Sequence, residues 1–366
     1  MSAGELSPPR SVEPSFWHGR RVLVTGHTGF KGAWLSLWLQ SLGAELTGVS
    51  LDVPTDPSLY ELARVGEGMT SIQADIRDAG ALAGAVAGAD PEVVIHMAAQ
   101  SLVRRSFAEP RETYETNVIG TVNVLEAVRA TDARVLVNVT SDKCYENREW
   151  EWGYRETDPM GGHDPYSSSK GCAELVAAAY RRSFFAPEGR TRLASARAGN
   201  VIGGGDWGED RLVPDLMRAA LAGEQALIRN PNSIRPWQHV LSPLSGYLVL
   251  AQALFQENEE ESPPAVNFGP LQEDVRPVGA IVERLAELWP DAVRWRLDEG
   301  PHPHEARFLA LDSSLARTRL GWRPLGRLEG ALRSIVEWYR ALVAGEDMRA
   351  VTLGQIESLQ YPDGST

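Results

Sequence analysis

Through the first half of the chain, short apolar runs rich in Val, Leu and Ile alternate with amphipathic stretches. RVLVT at residues 21–25 is the first run. Residues 45–50, 70–74, 92–96 (EVVIH), 134–139 (RVLVNV) and 191–197 follow, each read as a β-strand. Helix-period segments such as 31–41 separate them. Strand and helix alternating in this way predicts βαβ units and a parallel sheet. Right-handed crossovers then place helices on both faces, a doubly wound α/β architecture.

Beyond residue 200 the alternation fades. Residues 201–207 are Gly-rich, and 257–264 form an acidic surface loop ending in Pro. Helices are expected at 212–222, 238–255, 278–288 and 328–342. With no repeating βα pattern, this part reads as a smaller cap over the sheet.

A length of 366 residues suits about two domains. The net charge of −13 argues against a nucleic-acid partner, which calls for a basic field. Only two cysteines occur, Cys144 and Cys172, so a disulfide scaffold is excluded and a reducing, cytoplasmic compartment fits. No apolar run reaches the length of a membrane span, and the Pro-rich start has no apolar signal core. The 36 basic residues comprise 33 Arg and three Lys: Lys31, Lys143 and Lys170. Where Arg serves for every plain positive charge, three retained ammonium groups mark sites that need one, since Lys can lose its proton and Arg cannot.

Lys31 lies in Thr25-Gly26-His27-Thr28-Gly29-Phe30-Lys31-Gly32, directly after the first strand and at the opening of a helix. Three glycines so spaced give a tight turn, close backbone approach to a pyrophosphate, and close helix–strand packing. A helix N-terminus then receives the anion. Asp52 follows at the end of the second strand, where an acid accepts hydrogen bonds from a ribose and repels a 2′-phosphate. This favours NAD over NADP. Asp75 and Ile76 after the third strand, and Ala98, Ala99 and Gln100 after the fourth, are further cofactor candidates. His96 reads as a packed residue.

Tyr166 and Lys170 stand four apart, on one face of a helix that Pro165 can open. A neighbouring ammonium and a nicotinamide cation lower a tyrosine's pKa, making its phenolate a usable base. Ser141, Asp142 and Lys143 end the fifth strand, beside the expected cofactor.

The order Thr-Gly-x-x-Gly-x-x-Gly, Ser, Tyr-x-x-x-Lys resembles the extended short-chain dehydrogenase/reductase superfamily. The strings GHTGFKG (26–32), TSDKCY (140–145), EWEWGY (149–154), MGGHDPYSSSKGCAE (160–174), RAGNVIGGGDW (197–207) and IRPWQHV (234–240) look like the CDP-glucose 4,6-dehydratase family. The resemblance runs from about residue 17 to 342. It implies a Rossmann NAD-binding domain over 16–199, with a returning segment near 238–268, and an interleaved α/β substrate-binding domain over 200–345. Residues 1–15 and 346–366 are left as tails.

The resemblance also implies roles. Tyr166 is similar to the catalytic base, Lys170 to the lysine that lowers its pKa and holds the nicotinamide ribose, and Ser141 to the hydroxyl of that triad. Asp142 matches the acid that protonates the departing 6-hydroxyl. Lys143 stands where the dTDP-glucose branch has the Glu that takes the C5 proton; base and enolate-stabilising cation both remain open for it. Gly26, Thr28, Gly29, Phe30, Lys31, Gly32 and Asn117 join the NAD contacts. Asn200, Arg211, Arg235 and Arg307 match substrate contacts. The implied partner is CDP-glucose, the assembly a homodimer or dimer of dimers, and the product a precursor of deoxysugars in bacterial surface polysaccharides. The competing activities are another nucleotide-sugar 4,6-dehydratase, a 4-epimerase, and a non-catalytic NAD(H) sensor. Asp142-Lys143 speaks against an epimerase, and the intact Tyr-x-x-x-Lys against a sensor. Trp150 and Trp152 could wall the substrate or simply pack. His302 and His304 have a metal-like spacing, but no cysteine or acid cluster supports them, so no metal is expected.

Overall fold

A computed structural model describes residues 10–185, 190–256, 263–300 and 308–360. Arg307, His302, His304 and most of the expected acidic loop lie outside these residues. Seven strands make the main sheet: β1 (Arg21–Thr25), β2 (Glu45–Ser50), β3 (Thr70–Gln73), β4 (Val93–His96), β5 (Val135–Val139), β6 (Arg192–Arg197) and β7 (Ala265–Asn267). Their spatial order is β3-β2-β1-β4-β5-β6-β7, and every pairing is parallel. The order reverses between β1 and β4, which opens a crevice at the carboxyl ends of those two strands. The loops carrying Gly26, Ala98 and Ser141 all leave the sheet at that end.

Successive strand residues feed opposite faces, as the pleat requires. Val22, Val24, Val93, Ile95, Val135 and Val137 enter one apolar cluster with the Phe30–Ser41 and Leu241–Gln256 helices. Leu23, Val94 and Leu136 enter the other, with the Ala79–Ala89 and Gly120–Arg129 helices. Burial on both faces is why these strands read as unbroken apolar runs rather than alternating ones.

Three expectations change. The helix expected at 238–255 begins at Leu241, because Gln238 and His239 pair in parallel with Val201 and Ile202 instead. The N-terminal tail is shorter than 1–15: Val12 is buried, and the Trp17 indole donates to Gln252 at 2.8 Å. The C-terminal tail is a helix, Met348–Gln360. Met348, Thr352 and Ile356 recur at helical spacing and are buried, and Trp338 donates to the Thr352 hydroxyl at 3.0 Å. Trp38, from the helix that follows the Gly-rich loop, donates to Gln360 at 2.9 Å. This segment thus braces the phosphate-loop helix from outside.

Between these elements lie three two-stranded pairings, 201–202 with 238–239, 234–236 with 275–277, and 225–228 with 294–297. No helix among the described residues is long and apolar enough to cross a membrane.

Ile356→Ala separates a docked helix from a tail. A docked, buried Ile costs about 2–5 kcal/mol on truncation, whereas a tail residue costs under about 0.5 kcal/mol. Denaturant unfolding of the two proteins reads the difference.

Candidate active site

The phosphate loop is built for close approach. Gly26 has φ +79°, and a Cβ there would sit 2.8 Å from the Ala98 amide nitrogen. A Cβ on Gly32 would run into the Gly26 carbonyl. Gly29 caps the Phe30–Ser41 helix with no side chain, so the first-turn amides of Phe30, Lys31 and Gly32 have no side-chain cap. These features fit a pyrophosphate at the helix N-terminus. The Thr28 hydroxyl meets Ser50 Oγ at 2.7 Å and donates to the Leu51 carbonyl at 3.2 Å, tying the loop to the end of β2. Asp52 is exposed just beyond that strand. Asp75 is bonded to Arg77, which holds its carboxyl below the usual range. Ile76 is buried against Gly120.

One hydrogen-bond chain links the loop to the helix that carries Tyr166. Thr25 Oγ1 accepts from the amides of Met97 and Ala98, so its own proton goes to His96 Nδ1, 2.7 Å away. His96 Nε2 is then the protonated nitrogen and meets Thr121 Oγ1 at 3.2 Å; that hydroxyl donates to the Asn117 carbonyl at 2.7 Å. Burial, aided by the charge of Lys170, lowers the His96 pKa to about 3, so the ring stays neutral. His96 is packed, as the sequence suggests.

Asn117 is bonded within the protein. It sits in a π-turn (Glu115–Ile119), a geometry that points one residue out of helical register. Its amide accepts from Gln100 N at 2.8 Å and donates to Gln100 O at 2.9 Å and Ser169 Oγ at 2.8 Å. Both donor hydrogens are spent on protein partners, so the side chain holds the 98–100 loop against the Pro165–Tyr180 helix. The Gln100 side chain is likewise engaged, with Leu102 and Thr113.

Ser141, Asp142 and Lys143 lie on a single 3-10 turn just past β5. Ser141 Oγ donates to Asp142 Oδ1 at 2.9 Å and accepts from the Lys143 amide at 3.2 Å. Asp142 is buried, and Asn200 Nδ2 reaches its other oxygen at 3.4 Å. Asn200 has φ +46°, and Gly199 before it leaves no room for a Cβ, which would fall on the Asp142 carboxyl. Asn200, expected at the substrate, therefore also orients the acid.

Tyr166 opens the Pro165–Tyr180 helix, capped by Asp164, whose carboxylate accepts from Ser167 N at 2.9 Å. Burial pushes Tyr166 up to about 12; Asp142 adds to this, while the Ser141 hydrogen bond and Arg211 pull it back. Burial lowers Lys170 to about 8, against the opposing charge of Glu174. The structure thus brings Ser141, Asp142, Tyr166, Lys170 and Asn200 together at the crevice.

Arg211 joins them from the start of the Leu212–Ala222 helix. It donates to Ser101 at 3.0 Å and to both oxygens of Asp206 at 3.2 and 3.3 Å. Arg235 lies on the Ile234–Pro236 strand of the C-terminal part, half-buried, with one nitrogen on the Ile234 carbonyl. Trp150 packs against Tyr154 at 5.5 Å between ring centroids, while Trp152 is exposed.

Sequence reasoning passed over two buried partners. Glu174, four residues beyond Lys170 on the same helix, forms a doubly bonded ion pair with Arg197 of β6, at 2.8 and 2.9 Å. Thr140 also donates to that carboxylate. Burial works against the Arg197 charge, but the Glu174 bonds outweigh it and hold the guanidinium protonated. The i+4 spacing after Lys170 was the available signal. The second is Tyr247, whose hydroxyl meets Lys31 Nζ at 2.7 Å. No metal-ligand cluster occurs among the described residues.

A family model described as GDP-mannose 4,6 dehydratase matches residues 23–335. A CDP-glucose 4,6-dehydratase from Salmonella typhimurium is 55% identical over 342 residues, covering 92% of this chain and 95% of that protein. The chain belongs to the nucleotide-sugar 4,6-dehydratase family. Within that family, a dTDP-glucose 4,6-dehydratase from Escherichia coli is 28% identical, with 87% of this chain and 92% of that protein covered. Among solved structures, a UDP-glucose-4-epimerase from Stenotrophomonas maltophila superposes with a TM-score of 0.78 at 23% identity, covering 89% of this chain and 99% of that one. The Rossmann-type α/β fold of these dehydratases and their epimerase relatives is the fold seen here.

Three buried histidines make stability depend on pH. Burial lowers His27 to about 4, His96 to about 3 and His239 to about 4. An unfolded His titrates near 6.5, so below that value the unfolded chain binds more protons and stability falls with pH. The melting temperature is expected to drop between about pH 7 and pH 5, before ordinary carboxylates titrate. A flat or rising profile over that range contradicts the buried, neutral assignment.

Proposed function

We propose that this protein converts CDP-glucose to CDP-4-keto-6-deoxyglucose and water, with NAD as its resident cofactor. The observation that carries the reading is the Ser141-Asp142-Lys143 turn held beside Tyr166 and Lys170, in a chain 55% identical to a CDP-glucose 4,6-dehydratase. Transfer of hydride at C4 needs one base. Loss of water from C5 and C6 needs a further acid and a group at the C5 proton. Asp142 and Lys143 supply two such groups where an epimerase needs neither.

A bound NAD would supply reversible hydride transfer between C4 and C6, which leaves the overall reaction redox-neutral. The amides of Phe30, Lys31 and Gly32 hold its pyrophosphate, and Asp52 its adenosine ribose. Asp75 and Ile76 lie at the adenine. Ala98 and Ala99 leave room beside the crevice. Lys170 holds the nicotinamide ribose.

Tyr166 takes the proton of the 4-hydroxyl. Its pKa of about 12 is set chiefly by burial. Bringing it toward neutrality falls to the Ser141 hydrogen bond, to Lys170 and to a bound nicotinamide cation. The 4-ketone acidifies C5–H. Lys143 meets that proton, as an amine that takes it or as an ammonium that holds the enolate. Asp142 gives a proton to the leaving 6-oxygen. Asn200, Arg211, Arg235 and Arg307 contact the substrate, the arginines suiting its diphosphate.

The active unit in this reading is a homodimer or a dimer of dimers in the cytoplasm. Relatives in the resembled family pair through two helical stretches, here residues 117–130 and 166–182; exposed Ile119 and Leu175 lie on them, and exposed Phe184 lies just beyond the second. Lone apolar side chains are ordinary, but several on one such surface mark an interface.

The test is turnover with CDP-, dTDP-, UDP- and GDP-glucose plus NAD, following the 4-keto-6-deoxy product. Product from CDP-glucose alone is expected. Product from another nucleotide keeps the mechanism and discards the specificity. Lys143→Arg is expected to keep the fold and the first hydride transfer while blocking elimination; normal turnover by that variant contradicts the role given to Lys143.

A further inference from the structure

The turn that leaves β4 is braced on both sides of one residue. The Asn117 amide holds the Gln100 backbone, accepting from its N–H and donating to its carbonyl. The Gln100 side chain then spans Ser101. Its Oε1 accepts from the Leu102 amide at 2.6 Å, and its Nε2 donates to the Leu102 carbonyl at 3.1 Å and to Thr113 Oγ1 at 3.0 Å. Ser101 takes part in none of these bonds. It stands exposed at the tip of the turn, at the carboxyl end of the sheet where the crevice opens. A turn made this stiff around a free hydroxyl serves as a mount for it.

What the hydroxyl meets comes from the C-terminal part. Arg211, the N-cap of the Leu212–Ala222 helix, donates Nη2 to Ser101 Oγ at 3.0 Å and Nη1 to the two Asp206 oxygens at 3.2 and 3.3 Å. Asp206 is buried, and its backbone carbonyl accepts from the Tyr339 hydroxyl at 2.9 Å, so this second anchor is fixed. Gly208 leaves space for the arginine stem: a Cβ there would lie 3.2 Å from Arg211 Cδ and 3.3 Å from Nε. The guanidinium is thus gripped from both sides of the crevice by its two outer nitrogens. The same segments meet once more, where Asp210 pairs with Arg104 and with Arg229, each at 3.2 Å.

We propose that Ser101 is a positioning residue for substrate binding: mounted on the Gln100 brace, it fixes the Arg211 guanidinium in place to receive the diphosphate of the nucleotide sugar. This rests on the dehydratase reading for the identity of the anion. A guanidinium carries five N–H donors, and the contacts to Ser101 and Asp206 leave some of them for a ligand. Arg suits this task because its planar fork matches phosphate oxygens.

The gain is preorganisation. A long arginine side chain loses rotamer freedom when it binds an anion, and one already held at two nitrogens has lost it beforehand. Asp206 alone would leave the guanidinium free to swing about its Nη1 contact; the Ser101 contact removes that freedom. The hydroxyl also does this without charge. A second carboxylate in its place would hold Arg211 as firmly, but it would repel the phosphates the arginine is there to bind.

The experiment titrates CDP into the NAD-loaded protein by calorimetry and measures kcat and KM with CDP-glucose. It compares wild type, Ser101→Ala, Ser101→Thr, Arg211→Lys and the Ser101→Ala/Arg211→Lys double variant. Ser101→Ala is expected to weaken CDP binding and raise KM by about tenfold, the scale of a hydrogen bond to a charged group, with the loss falling on KM rather than kcat. Ser101→Thr keeps the hydroxyl and is expected to restore both. Lys has no fork for Ser101 to fix, so adding Ser101→Ala to Arg211→Lys is expected to cost nothing more. Inhibition by cytidine, which has no phosphate, is expected to be the same in wild type and Ser101→Ala. If Ser101→Ala loses the wild-type circular dichroism, Ser101→Cys, close in size and a poor acceptor, bears the same expectation. Wild-type CDP affinity in Ser101→Ala, losses that add in the double variant, or equal weakening of cytidine each overturn the proposal. Absence of turnover by wild type overturns the dehydratase reading alone, because the CDP titration needs no turnover; absence of CDP binding by wild type overturns both.

Discussion

A buried ion pair sits behind the reaction centre, and the geometry in front of it depends on that pair. Glu174 and Arg197 are each about one-twentieth exposed and join the Pro165–Tyr180 helix to β6. Removing one partner of such a pair typically costs about 3–5 kcal/mol, because the other charge is left buried and unmatched. Replacing both by apolar residues can be neutral, so the pair's value here is as a register device. Glu174 follows Lys170 by one helical turn and Tyr166 by two. Fixing Glu174 against Arg197 fixes the turn of helix that carries Tyr166 and Lys170. Thr140, donating to the same carboxylate, ties the segment that leads into Ser141 and Asp142 to the same anchor.

A second, neutral device holds the other wall. The Thr25–His96–Thr121–Asn117 chain works only with an uncharged imidazole, because Thr25 uses its single proton on His96. Burial keeps the ring neutral. Asn117 then spends its amide on Gln100 and Ser169. The loop after β4 and the Pro165–Tyr180 helix are thus set relative to each other by hydrogen bonds that no titration near neutral pH disturbs.

Much of this was legible in the sequence, and the parts that were not share a cause. Strands buried on both faces announce themselves as apolar runs, so six of the seven strands of the sheet were read to within about a residue. The Gly spacing and Tyr-x-x-x-Lys are local patterns whose geometry follows from one turn or one helix. β7 has three residues and is made a strand only by its neighbour β6. The Met348–Gln360 helix has a sparse apolar stripe broken by Gly354, and its docking partners lie far away in sequence. The motif around Asn117 gives residue type, not the π-turn that aims the side chain inward. Lys31 was marked as unusual by composition, but Tyr247, its partner, lies 216 positions away. Local chemistry is written in local sequence; pairing across the fold is not.

The account's central claim is that one chain carries out oxidation at C4, elimination across C5 and C6, and reduction at C6 on a single substrate molecule. The most direct measurement is the fate of deuterium placed at C4 of CDP-glucose, read by nuclear magnetic resonance and mass spectrometry of the product. The account predicts the label at C6 of a 4-keto-6-deoxy sugar, with solvent hydrogen at C5. Label returned to C4 of an intact hexose contradicts it and marks an epimerase.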